Sequence, residues 1–94
     1  MRSALLALST LASLGLAATP ALADPTCTTE PQTKWLSEAA MKEKIDARGY
    51  KEIKTFHTTS TGCYEIYGYT AEGKRAEVYF NPVTGDIVEA EIDD

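Results

Sequence analysis

Tyr64-Glu65-Ile66-Tyr67-Gly68-Tyr69, Ala71-Glu72-Gly73-Lys74, Ala76-Glu77-Val78-Tyr79-Phe80 and Asn81-Pro82-Val83-Thr84-Gly85-Asp86-Ile87 form the stretch that decides the fold. Alternation with a period of two, punctuated by glycine turns, reads as consecutive antiparallel strands. Tyr64, Ile66 and Gly68 share one face, as do Ala76, Val78 and Phe80, and then Val88, Ala90 and Ile92. For these sets to lie together, Ile66 must oppose Val78 and Gly68 must oppose Ala76. Tyr69 then opposes Arg75, and Thr70 pairs with Lys74 around Ala71-Glu72-Gly73. A three-residue hairpin loop wants a left-handed residue at its end, and Gly73 stands there. Loop chemistry and apolar pattern therefore predict one register.

Working outward, Tyr50 to Thr58 reads as a further strand, turned by Thr59-Ser60-Thr61-Gly62. Before it the period is helical. Ser37 is a good N-cap, Glu38 suits the positive end of the helix dipole, and Leu36 with Met41 matches a hydrophobic staple. Met41 and Ile45 anchor the buried side, and Gly49 stops the helix, which spans about 38–48. Trp35 is expected to pack at its start. The predicted fold is α+β: one helix covering the joint apolar face of a four-stranded antiparallel meander. This domain spans 35–94 and is preceded by a Thr- and Pro-rich extended arm, 24–34.

The first residues carry an address. Met1-Arg2-Ser3 is a short basic start, Ala4 to Leu16 is apolar, and Ala21-Leu22-Ala23 offers the small residues a signal peptidase reads. Residues 1–23 are expected to be a signal peptide cut after Ala23, leaving no membrane insertion. The protein would then be secreted, or periplasmic in a Gram-negative host. In that setting the two cysteines, Cys27 and Cys63, are expected to form a disulfide. The closed loop is worth roughly 3–4 kcal/mol to a domain with a small core. The full chain carries a net charge of −5. Losing Arg2 makes the mature chain more acidic, which argues against nucleic acid and anionic lipid as partners.

The ordered motifs resemble the PepSY family. They are Gly49-Tyr50 after the helix, Tyr64-Glu65-Ile66, Glu72-Gly73-Lys74, the Ala76 to Phe80 strand, and the run Asn81-Pro82-Val83-Thr84-Gly85-Asp86-Ile87. The likeness extends from Trp35 to about Ile92 and is strongest to small exported single-domain members. Asn81 stands where the family usually carries Asp, a change that keeps a type I turn. The resemblance implies inhibition or regulation of peptidases and assigns no catalytic residue to the fold.

The residues themselves point away from catalysis. His57 is the only histidine and has no triad or metal-ligand spacing around it, and no phosphate loop or nucleophile elbow is present. It is expected to be an ordinary edge-strand residue. In the predicted register Glu65 lies across from Tyr79 and Tyr67 from Glu77, on the sheet face away from the helix. Ile87, Glu89 and Glu91 join that face, with Glu77 opposite Glu89 or Glu91.

Three uses of this face follow. Tyr67, Tyr69 and Tyr79 offer rigid contact area to a protein partner, a peptidase or an envelope protein, with an acidic rim. Alternatively, Glu65, Glu77, Glu89 and Glu91 hold calcium or another hard cation. The third use is purely structural, a solvated acidic face. No cofactor is expected under the first or third.

Overall fold

The structure, a computed structural model, describes residues 24–93; the signal segment read at 1–23 lies outside them. After a 3-10 turn at Gln32–Lys34, helix α1 spans Glu38–Ala47, followed by β1 (Lys51–Thr58), β2 (Tyr64–Tyr69), β3 (Arg75–Phe80) and β4 (Ile87–Asp93). The strands form one antiparallel sheet in the order β1-β2-β3-β4, a meander. The α+β expectation holds.

Local chemistry places the elements as anticipated. Ser37 Oγ accepts from the Ala40 amide at 3.1 Å, and Arg48 closes the helix one residue earlier than read. The β2–β3 register is the predicted one, with Ile66 opposite Val78 and Gly68 opposite Ala76. Thr70 N donates to Lys74 O at 2.8 Å, and Gly73 ends the loop at φ +89°. β1 starts at Lys51 rather than Tyr50 and is less regular, slipping register between Lys51 and Thr55.

Met41 and Ile45 from α1 are buried against Tyr64, Ile66, Ala76, Val78 and Phe80. Trp35 packs its ring edge-on to Tyr64 at 5.3 Å, and Tyr64 donates its hydroxyl to Leu36 O at 2.7 Å. The expectation that the helix covers all three apolar sets is corrected at β4. Val88 and Ile92 remain 44% and 41% exposed, and Ala90 is exposed too. A helix about 10 Å wide spans roughly two strands set ~4.8 Å apart, so α1 is used up on β2 and β3. A bulge at the start of β4 also breaks its alternation, with Phe80 opposite Ile87 and Tyr79 opposite Glu89.

Cys27 and Cys63 are joined, with Cα atoms 5.0 Å apart. The bond fastens the arm to the turn before β2. Thr61 Oγ1 donates to Pro25 O at 2.7 Å and Cys27 N to Thr61 O at 3.1 Å, continuing the attachment.

Candidate functional site

The outer sheet face is built by side chains of odd number on β2 and β3, because alternate residues of a strand point to opposite faces. Glu65, Tyr67 and Tyr69 come from one strand, just after Cys63, and Glu77 and Tyr79 from the next. The reading of this face as wholly solvated is corrected at its upper end. Glu65 and Tyr79 are only 5% and 6% exposed. The arm fastened at Cys27 reaches this end. Tyr79 donates its hydroxyl to Asp24 Oδ1 at 3.1 Å, and Asn81 Nδ2 donates to Cys27 O at 3.2 Å.

Within this cover the polar groups use one another. Tyr67 and Tyr79 hydroxyls donate to Glu77 Oε2 at 2.9 and 2.8 Å. His57 Nε2, from the paired position on β1, lies 2.7 Å from Glu65 Oε1. Glu65 and Glu77 are diagonal neighbours on the two strands, and their carboxyl groups influence each other. Burial first, and then the neighbouring Glu77 carboxyl, raise the pKa of Glu65, against opposing contacts from His57 and Tyr79. The neighbouring Glu65, then the bonds from Tyr79 and Tyr67, lower Glu77 against the effect of its burial. The two carboxyl groups are thus shifted in opposite directions, Glu65 upward and Glu77 downward, and Glu77 also accepts from both phenols. Its bond to Tyr67 is the main cause pushing that phenol up to about 12. Tyr79 is raised by burial, then by Glu77 and Asp24.

The sequence candidates thus fall into distinct places. Tyr67, at 43% exposure, and half-buried Tyr69 line a groove of about 280 Å³ with Lys54, Arg75, Glu77 and Glu91. Tyr79 is beneath the arm and offers little contact area. Glu91 opposes Glu77 and Glu89 opposes Tyr79, both on β4. Among the described residues no three His, Cys, Asp or Glu side chains gather to hold a metal ion, and every buried side-chain nitrogen or oxygen has a partner. His57, Asp24 and Asn81 are the contributors that sequence reasoning missed. The β1–β2 register would have revealed His57, whereas Asp24 and Asn81 meet the network through a tertiary crossing.

The family model for the peptidase propeptide and YPEB domain, PepSY, matches residues 6–91, and the chain belongs to that family. Its domains are generally non-catalytic, propeptide-like modules that associate with peptidases, and they are typical of exported proteins. No curated protein and no solved structure matches the chain. Among the described residues no helix is long and apolar enough to cross a membrane.

Proposed function

We propose that this protein is a non-catalytic exported binding module that inhibits or regulates an exported peptidase or an envelope protein. The observation that carries this reading is the groove faced by Tyr67 and Tyr69, on a fold whose family is that of peptidase propeptides. The two rings present rigid contact area beside the acidic side chains Glu77 and Glu91. The buried polar groups next to them are already occupied with one another, which suits a structural use of Glu65 and Tyr79. The hard-cation reading has less support, because Glu65 is already engaged by His57 and Glu77 by the Tyr67 and Tyr79 hydroxyls.

The test titrates the oxidised protein into the exported peptidase activity of its host, with casein as substrate. Tyr67→Ala is expected to weaken inhibition about tenfold, as an aromatic anchor does, while Tm moves by only a few degrees. Equal inhibition by wild type and Tyr67→Ala would remove the groove from the contact. A calcium- or lanthanide-dependent rise in Tm that Glu77→Gln abolishes would favour the cation reading instead.

A further inference from the structure

β4 ends the sheet, so among the described residues one of its edges has no strand beside it. Such edges template pairing with other extended segments, and proteins commonly blunt them with lysines or bulges. The opposite edge is treated in this way. β1 carries Lys51 and Lys54, slips register before Thr55 and turns Glu52 to φ +50°. β4 is irregular only at its start, and from Glu89 to Asp93 it pairs residue for residue with β3. It contains no lysine, glycine or proline.

The two faces of this edge differ in chemistry. On the helix side Val88 and Ile92 are exposed beyond the reach of α1, and Ile92 lines a hollow with Arg48, Tyr50 and Ala71. On the outer side stand Glu89, Glu91 and Asp93. Asp93 is held by Arg75 at 3.2 Å, which leaves Glu89 and Glu91 to select the charge of a neighbour. Two copies of β4 side by side would set these carboxylates against their equals, which is destabilising in a sheet. The net charge of −5 works in the same direction.

We infer that the β4 edge receives, by strand addition, an extended segment of a partner protein in which apolar residues alternate with lysine or arginine. The apolar side chains of that segment lie beside Val88 and Ile92, and its cations beside Glu89 and Glu91. Backbone pairing supplies affinity and the alternation supplies selectivity. This rests on the binding-module reading and extends its surface, since Glu91 and Asp93 also line the Tyr67 groove.

The probe is the capped heptapeptide Lys-Val-Lys-Val-Lys-Val-Lys, titrated into the 15N-labelled oxidised protein. Controls are a peptide of the same composition with the lysines and valines in separate blocks, and the Glu-Val counterpart. The alternating Lys-Val peptide is expected to shift amides of residues 88–93 and to bind about tenfold more tightly than either control. Glu89→Lys with Glu91→Lys should reverse the preference toward Glu-Val, with a melt showing that the variant is folded. Shifts confined elsewhere, equal binding of the block peptide, or an unreversed preference would overturn the inference. Self-association through β4 in sedimentation would overturn the choice of occupant. Equal inhibition of the exported peptidase activity by wild type and the double variant would remove the β4 edge and leave the proposed function standing. Lys-Val pairing by a wild type that neither inhibits nor binds an exported protein would do the opposite.

Discussion

Asn81 does two jobs that an aspartate could not do together. Its side-chain oxygen accepts from the amides of Val83 at 2.8 Å and Thr84 at 3.3 Å, which holds the turn, and its amide nitrogen donates to Cys27 O. Asn81→Asp should keep the turn but set a carboxylate against the Cys27 carbonyl. The expected loss is about 1 kcal/mol, with faster reduction of the disulfide as the arm loosens, measured by denaturant melts and thiol release. The Glu65–Glu77 pair makes a second prediction. Glu65 holds its proton more tightly folded than unfolded, so its stabilisation is lost as pH rises through its raised pKa. Glu77 is the reverse case, and its stabilisation is lost as pH falls below the ordinary Glu value of 4.5. The two contributions together are therefore greatest in mild acid, and Tm should fall toward neutral pH. Glu65→Gln donates without a titrating proton, so thermal melts from about pH 4 to 8 should show a flatter neutral side. The carboxylates could be placed on one face from their spacing. Their burial could not, because the arm that covers that end is joined to it across 36 to 55 residues of chain.

At the scale of elements, the β2–β3 hairpin was legible because two independent signals, the apolar alternation and Gly73, specify one register. The β1–β2 connection is governed by a contact from outside it. Gly62 lies at φ +82°, and a Cβ there would run into the Thr28 carbonyl of the arm. Gly62→Ala should therefore be destabilising on both counts, by more than the ~1 kcal/mol of backbone strain alone, and thermal melts should show it. Gly73, with open space around its Cβ position, should suffer only the strain of its φ +89°. Comparing Gly73→Ala with Gly62→Ala separates conformational strain from close approach. The contrast shows why a glycine turn can be recognised from local sequence although the reason for the glycine cannot.

For the whole molecule, one helix on four strands leaves a two-sided sheet that needs cover from elsewhere. The arm supplies it on the outer face, and the disulfide holds the arm there. Reduction should lower stability by roughly 3–4 kcal/mol, or on the order of 12–30 °C in Tm for a domain of this size, by calorimetry with and without reductant. It should also release Tyr79 to titrate nearer the ordinary tyrosine value, followed by phenolate absorbance. By itself the sequence determined the α+β class, the helix with its Ser37 cap, the β2–β3 register and the Cys27–Cys63 pairing. Each of these follows from periodicity, turn stereochemistry or the count of two thiols, all of them properties of neighbours along the chain or of composition. Only the tertiary structure decided that Tyr79 is covered, that His57 meets Glu65, and that β4 keeps Val88 and Ile92 in the open. Those outcomes depend on how far one helix reaches across a sheet and where an extended arm crosses it, and neither distance is written in a local pattern.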